Sequence, residues 1–296
     1  MKRTQQSVLP DGLIRQLQNS IGSKQVSADL LDLSAVAADA SHYLLTPGAL
    51  VRATTADDVA CAMTAARRHK VGLTFRSGGT SLSGQGLTDG IMVDTRRAFR
   101  GIEVLDEGRR VRVQPGATIR AVNTVLARYQ RKLGPDPASS VACTVGGVLA
   151  DNSSGMSCGT IANSYQTLES MVIVLASGTV LDTADPDADD KLCSTEPELV
   201  ETLLRLRETC RRPEHAERIR HLFSMKNTMG YGLNSFLDHD SPSQILSHLM
   251  IGSEGTLGFI ASAVMRTLPV MPQISTALLH FPTLESATTA LSLIHI

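Results

Sequence analysis

The spacing of apolar residues along the chain switches between a helical and a strand period, and each switch marks an element. Leu13, Ile14 and Leu17 recur at helical spacing, so residues 1–41 read as a helical lead-in. A short apolar run at residues 49–53 then reads as a strand. Thr55 stands three residues before Asp58, the pattern of a capping box with Asp in place of Glu. The helix it opens would carry Val59, Ala62, Met63 and Ala66 on one face. Residues 71–75 and 91–95 are two further strands, joined by a segment with almost no bulk. That β-α-β order places the segment at the carboxyl end of a strand, where open α/β sheets take ligands.

From residue 101 the pattern changes. Residues 101–106 and 109–114 flank Glu107-Gly108, and residues 171–176 and 179–183 flank Ser177-Gly178; each pair predicts a hairpin. Residues 119–129 form an amphipathic helix, and residues 259–268 a late strand with Val264, Arg266 and Leu268 in alternation. Hairpins mixed with helices predict an α+β fold, not a second doubly wound sheet. Between Asp182 and Met250 the chain is polar, and its charged middle, residues 196–212, reads as a solvated helix. Pro269 and Pro272 mark a boundary. After it, residues 275–294 read as a strand, a cap at Thr283 and a helix, which is too little for a domain. The expected organisation is therefore a lead-in at 1–41, a main unit at 42–272 and the opening of another domain at 273–296.

Composition narrows the function. The 296 residues are 42% hydrophobic and 19% charged with a net charge of -1, which offers no electrostatic basis for binding nucleic acid or an anionic membrane. Aromatic content is 3% with no Trp, so a stacking platform for single strands is not expected either. No apolar run has the length of a membrane span, and the first twenty residues lack the apolar core of a signal peptide. The five cysteines form no Cys-x-x-Cys pair; their odd number and wide spacing suit a reducing compartment, so a cytoplasmic protein is expected. The eight histidines have no metal-ligand spacing and read as surface or packing residues, so no metal site is expected.

Candidate chemistry lies in three glycine-rich stretches. The first, FRSGGTSLSGQG, sets Gly78-Gly79 among the hydroxyls of Ser77, Thr80 and Ser81, with Gly84 and Gly86 close behind. It is either a flexible turn or a nest of inward-facing N–H groups for an anion, to which Arg76 could add a bidentate donor. It is not a phosphate loop of the Gly-Lys-Ser/Thr type, because it has no Lys. Nor is it the nicotinamide fingerprint, because a strand follows Gly84-Gln85-Gly86 too soon. The second stretch, LGPDPASSVACTVGGVLADNSSG, holds a rigid turn at Asp136. Its segment Thr144-Val145-Gly146-Gly147 could open a short helix and aim free N–H groups at an electron-rich ligand. The third is IGSEGTLGFI, with Gly252, Gly255 and Gly258.

In order and spacing, the three stretches resemble the flavin-binding domain of the vanillyl-alcohol oxidase/PCMH superfamily, most closely its D-2-hydroxyacid dehydrogenase branch. That branch includes D-lactate dehydrogenases, the glycolate oxidase flavoprotein subunit and D-2-hydroxyglutarate dehydrogenase. Its first loop reads roughly Arg-Gly-Gly-Gly-Thr-Ser/Asn-Leu-x-Gly, and here Ser77 replaces the first Gly. The later blocks resemble Pro-Asp-Pro-x-Ser, Thr-Ile-Gly-Gly and Gly-Ser-Glu-Gly-Thr-Leu-Gly-Ile. The resemblance covers roughly residues 42–270.

It implies a PCMH-type FAD-binding domain of two α+β subdomains with FAD between them, plus the truncated start of a cap domain. Arg76, Ser77, Gly78, Gly79, Thr80, Ser81, Gly84 and Gln85 would cradle the FAD pyrophosphate. Pro135, Asp136, Thr144, Gly146, Gly147, Asn152 and Gly155 would line the flavin and its ribityl chain, and Glu254, Gly255 and Ile260 would close the site. Some relatives tether FAD to a His after the Gly-Gly pair; Thr80 and Ser81 stand there, so non-covalent FAD is implied. The implied reaction oxidises the CH–OH of a D-2-hydroxy acid such as D-lactate, glycolate or D-2-hydroxyglutarate by hydride transfer to flavin N5. Its acceptor would be a quinone, a cytochrome or an electron-transfer protein. The catalytic base and any metal ligands would lie in the cap. Residues 224–240 and the extended 183–250 region also resemble a large subgroup in which an iron–sulfur module is fused beyond the cap, so any cluster would lie there. The alternatives are an NADPH-dependent flavin reductase of the same superfamily and a non-catalytic or truncated flavin-binding module. The Gly-Ser-Glu-Gly-Thr-Leu-Gly block and the cap-like start favour the dehydrogenase.

Overall fold

A computed structural model describes residues 9–273, 275 and 277–295. The first lobe contains α1 (Leu13–Ile21), β1 (Val26–Ser27), α2 (Leu30–Ser34), β2 (Ala49–Val51), α3 (Ala56–His69), β3 (Leu73–Arg76) and β4 (Ile91–Asp94). The capping box forms: Thr55 Oγ1 accepts the Asp58 N–H, and the Asp58 carboxylate accepts the Thr55 N–H, both at 3.1 Å. The helix it fixes buries Val59, Ala62, Ala65 and Ala66 against Leu13, Leu17 and Ile21 of α1. The lead-in differs from its helical reading. It also supplies β1, which pairs antiparallel with β2, Val26 opposite Val51. Two residues are too short a strand to leave a period in the sequence. Residues 1–8 of the lead-in lie outside the described residues.

The strands run in the order β1-β2-β4-β3, with β2, β4 and β3 mutually parallel. β3 is thus an edge strand, and its carboxyl end opens directly into the glycine-rich stretch.

The second lobe begins with β5 (Ile102–Leu105), β6 (Arg110–Val113), α4 (Ile119–Leu126), β7 (Arg131–Lys132), α5 (Val145–Asp151) and α6 (Ser164–Thr167). β8 (Leu168–Val174) and β9 (Val180–Asp182) follow. Next come α7 (Ala188–Thr195), α8 (Pro197–Cys210), α9 (Pro213–Ser224), α10 (Ser235–Asp238) and α11 (Pro242–Leu249). The lobe closes with β10 (Phe259–Arg266) and β11 (Leu268–Pro269), and α12 (Leu284–His295) follows. Both expected hairpins form, and β10 inserts between them to give an antiparallel five-stranded sheet, β5-β6-β10-β8-β9.

The polar stretch is more buried than its composition implies. α8 buries Val200 and Leu203, and α11 buries Ile245, Leu246 and Leu249, all in the second lobe's core. Apolar residues three and four apart make a narrow stripe that the surrounding charge masks. Beyond the proline boundary, Thr283 Oγ1 accepts the Ser286 N–H at 3.2 Å and opens α12 as expected. The strand expected just before it does not form among the described residues; residues 274, 276 and 296 lie outside them.

The lobes meet along α3 and β10. Phe259 of β10 lies 5.0 Å from Phe75 and 5.3 Å from Phe99, centroid to centroid. Val174 and Ala261 of the five-stranded sheet are buried in the same cluster as α3. This seam fixes the distance between the sheets, and the cleft described next opens along it.

Candidate functional site

β3 ends at Arg76, and its last carbonyl is pinned: Arg76 O accepts the Thr95 N–H at 3.0 Å and the Thr95 hydroxyl at 3.2 Å. The guanidinium does not reach out as a bidentate phosphate donor. It is only 7% exposed, and Nη1 and Nη2 donate to Gly86 O at 3.3 Å and Ala38 O at 2.7 Å. Arg76 therefore ties the two ends of the loop from beneath. Burial, and secondly the nearby Arg96, pull its pKa below the usual guanidinium range. Arg96 is itself clamped on the buried Asp94 carboxylate through Nε at 3.1 Å and Nη2 at 3.0 Å.

Above this floor the chain turns through Gly79 at φ +65°, where a Cβ would lie 2.6 Å from Arg76 Nη2. A Cβ on Gly78 would lie 2.7 Å from the Ala142 carbonyl oxygen. The first loop thus rests on the second stretch. Ser77 fastens it there, donating to Pro115 O at 3.2 Å and hydrogen-bonding Thr144 Oγ1. Ser81 donates to the Gln85 side chain. The backbone N–H groups of Gly78, Gly79, Thr80 and Ser81 find no acceptor among the described residues. Such a run of free donors is an anion-binding concavity.

The second stretch opens α5 at Thr144, as expected, but most of its first-turn donors are engaged. Val145 N–H donates to Ala117 O at 2.8 Å and Gly146 N–H to Pro115 O at 3.0 Å. The N–H of Gly147 is left over, and a Cβ at that position meets nothing within 4 Å. The third stretch docks on the far end of the same helix. Gly252 N–H donates to Leu149 O at 3.0 Å and Glu254 N–H to Ala150 O at 2.9 Å. Glu254 takes a left-handed φ of 52°, between Gly252 at 81° and Gly255 at 74°. Glu254 and Asp151 both line the cleft at this end. Loss of water around its carboxyl, and then the Asp151 carboxylate, push Glu254 up to about 7.

These surfaces enclose a cleft of about 860 Å³ between the lobes. Of the residues singled out in the sequence, Arg76, Ser77, Gly78, Gly79, Thr80, Ser81 and Gln85 line it from the first loop. Thr144, Gly146 and Gly147 line it from α5, and Glu254, Gly255 and Ile260 from the third stretch. Gly84, Pro135, Asp136, Asn152 and Gly155 do not line it. Gly84 turns the loop at φ +82°, with its missing Cβ aimed at Tyr43. Asp136 bridges Gly155, and its carboxylate accepts the Ser157 N–H at 3.2 Å. Asn152 caps α5 in the left-handed region, at φ 56°, and donates to Asn227 O at 3.5 Å.

Sequence reading missed the apolar wall, made of Met63, Leu73, Phe75 and Phe259, and the polar side chains of Ser139, Asp151 and Ser253. Ser253 lies inside the third glycine-rich stretch, which was the available signal; its hydroxyl is buried and unpartnered among the described residues. A strap from the polar stretch covers this end. Lys226 Nζ donates to Gly155 O at 2.6 Å, and Tyr231 and Thr256 share a hydroxyl hydrogen bond of 2.7 Å.

Away from the cleft, Tyr165 donates to Asp238 at 2.7 Å and packs on His248, which stacks 4.0 Å from His239. Burial, and then His239, push His248 down to about 4. No metal-ligating cluster is found among the described residues, and none of their helices is long and apolar enough to cross a membrane.

Comparison with known proteins adds several likenesses. The D-2-hydroxyglutarate dehydrogenase of Pseudomonas putida is 33% identical over 262 residues, covering 86% of this chain and 26% of that protein. The D-lactate dehydrogenase of Archaeoglobus fulgidus is 25% identical, over 80% of this chain and 42% of that protein. The chain spans about a quarter of the length of the first of these relatives. Among solved structures, alkyldihydroxyacetonephosphate synthase superposes with a TM-score of 0.62 at 19% identity, covering 97% of this chain and 46% of that one. That match speaks to the fold alone. Residues 47–184, which hold the first two glycine-rich stretches, match the family model described as FAD binding domain. Over residues 47–184 the chain is therefore similar to the FAD binding domain family, and it shares its overall fold with the solved synthase.

Proposed function

We propose that this chain is the FAD-binding portion of an oxidoreductase that oxidises the CH–OH of a 2-hydroxy acid, with D-2-hydroxyglutarate and D-lactate as first candidates. The observation that carries the reading is the cleft itself. Its free N–H groups at residues 78–81 suit a diphosphate, and its bare surface at Gly147 leaves room for a ring. Ser253 offers a buried hydroxyl with no protein partner, and Leu73, Phe75 and Phe259 supply an apolar wall. A cleft of about 860 Å³ lies within the range of cofactor sites. These features fit FAD. The names of the relatives support the substrate class.

Bound FAD would supply the hydride acceptor of the oxidation. The protein's part is to hydrogen-bond the diphosphate, hold the ring against α5 and keep water from the apolar wall. Thr80 and Ser81 stand where a tethering His stands in some relatives, which supports non-covalent binding. Residues 42–272 would form the flavin unit and residues 273–296 the start of a cap. Leu278, Leu279 and Leu284 of that last segment are exposed and offer a surface for the rest of the cap to bury. The catalytic base would come from the cap. Electrons would leave to a quinone, a cytochrome or an electron-transfer protein, and any iron–sulfur cluster would be held outside these residues.

The test has two stages. The chain is mixed with FAD, stripped of free flavin by gel filtration and then denatured with acid; yellow colour should survive the column and be released by the acid. The full-length protein is then mixed anaerobically with a panel of 2-hydroxy acids and with NADPH. Bleaching by a hydroxy acid and not by NADPH is the expected result. A panel in which no hydroxy acid bleaches the flavin removes the dehydrogenase reading.

A further inference from the structure

Residues 37–45 of the lead-in form a compact turn beside the first glycine-rich loop. Ala38 and Leu44 bridge antiparallel, and the Leu45 N–H donates to Ala37 O at 3.0 Å. Within the turn, Asp39 accepts the Ser41 N–H at 2.8 Å and Ser41 Oγ accepts the Tyr43 N–H at 3.2 Å. The turn lies ahead of residues 47–184, and none of its residues lines the cleft. It nevertheless holds the loop at three places. Ala38 O accepts Arg76 Nη2 at 2.7 Å, and the Ala40 N–H donates to Gly79 O at 3.0 Å. The Tyr43 ring covers Gly84, where a Cβ would lie 2.9 Å from Tyr43 Cδ2. The contact at Gly79 reaches into the run of free donors. The Gly79–Thr80 peptide is trans, so its carbonyl and the Thr80 N–H point to opposite sides. Gly79 O turns outward to Ala40, and the Thr80 N–H turns the other way, into the cleft that Thr80 lines. Gly79 does not fix that plane by itself: at φ +65° and without a Cβ, glycine accepts either orientation.

We propose that Ala40 is a positioning residue of the cofactor site: its backbone N–H holds the Gly79–Thr80 peptide in the orientation that presents the Thr80 N–H to the FAD diphosphate. This rests on the FAD reading above. A donor that is already aimed costs the ligand no ordering when it binds. Without the Ala40 N–H, the peptide divides its time between two orientations, and only one of them offers Thr80 to a phosphate oxygen. Arg76 and Tyr43 keep the turn seated on the loop, so a segment that never touches the ligand sets part of its affinity.

Two chains that lack the N–H test this. One is Ala40→Pro; the other carries an ester in place of the Ala40 amide, which keeps the methyl side chain and decides the matter if the proline chain fails to fold. Fluorescence titration with FAD should give a Kd about tenfold above the native value in both, the worth of one hydrogen bond to a charged group. In the native chain, the Thr80 amide proton should move downfield in NMR spectra as FAD binds. In both altered chains that shift should be lost while the Gly78 amide still responds, which a general loss of stability would not produce. Native affinity in either altered chain overturns the proposal. So does a native Thr80 amide that ignores bound FAD, a measurement that needs no variant. The native chain is also titrated with inorganic diphosphate. A chain that binds no FAD but whose Thr80 amide answers to diphosphate overturns the FAD reading and supports the positioning role; one that answers to neither overturns both.

Discussion

Gly147 and Gly155 stand on either side of the last turns of α5, yet they do opposite jobs. A Cβ on Gly147 would meet no atom within 4 Å, whereas one on Gly155 would lie 2.3 Å from the Asp136 carbonyl oxygen. The first keeps a surface bare toward the cleft; the second lets two backbone segments close on each other behind it. The same division runs through the ionisable groups. Glu254, on the cleft, is held up to about 7. His248, in the packed framework, is held down to about 4. Glycine and charge thus serve two purposes in this lobe, and position relative to the cleft decides which.

The comparison can be broken most severely at Gly155. Gly155→Ala forces a Cβ into a left-handed position, φ +81°, and onto Asp136. We expect a loss of about 3 kcal/mol, from strain and overpacking together, read as a lower urea midpoint. An unchanged midpoint would mean that Gly155 is free to serve the cleft after all.

Acid should attack the framework next. The His248 Nδ1–H donates to Gln244 O at 2.9 Å, which is satisfied by the neutral ring. Because its folded pKa lies below the unfolded value, the unfolded chain binds more protons between the two, and stability falls as pH drops from 6.5 toward 4. The cost approaches roughly 3 kcal/mol at the acid end and vanishes above pH 6.5. Urea titrations of the native chain and His248→Phe across this range should differ in slope; parallel curves would remove His248 from the account.

Gly147→Ala should separate the two roles. It adds a methyl group inside α5 with nothing in its way, so stability should hold or rise by up to about 1 kcal/mol. FAD affinity should fall at least about tenfold, because the methyl group enters space the ring needs. Fluorescence titration with FAD and a thermal melt on the same sample read both. Tight binding in this variant would place the ring elsewhere.

The smallest effect is expected at Ser253. Removing its buried, unpartnered hydroxyl in Ser253→Ala should leave folding unchanged or slightly improved and weaken FAD by about 1 kcal/mol. Unchanged affinity would show that the hydroxyl faces no ligand atom.

Much of the architecture was readable along the chain, because it rests on short-range rules. The Thr55–Asp58 capping box, the hairpins around Glu107-Gly108 and Ser177-Gly178, and the start of α5 at Thr144 each depend on residues within a few positions of one another. β1 escaped because two residues carry no period, and its partner β2 lies some twenty-five residues on. The burial of α8 and α11 escaped because charge averaged over a segment conceals a narrow apolar stripe. The glycine-rich stretches named segments that line the cleft, but not which of their atoms face inward. Arg76 looked like a phosphate donor and is a tie beneath the loop; Asp136 and Gly155 looked like ring contacts and brace each other.

By itself, the sequence determined where the backbone had to be bare, where helices had to start, and that three such places recur in a flavin-binding order. Those are properties of residue type and local spacing. Only the tertiary structure decided which bare backbone faces the cleft and which donors remain free. Each of those depends on a contact across the fold: Gly78 on Ala142, Ser77 on Thr144, the Glu254 N–H on Ala150 O. A hydrogen-bond donor is available to a ligand only if no other segment reaches it first, and that competition is settled in three dimensions.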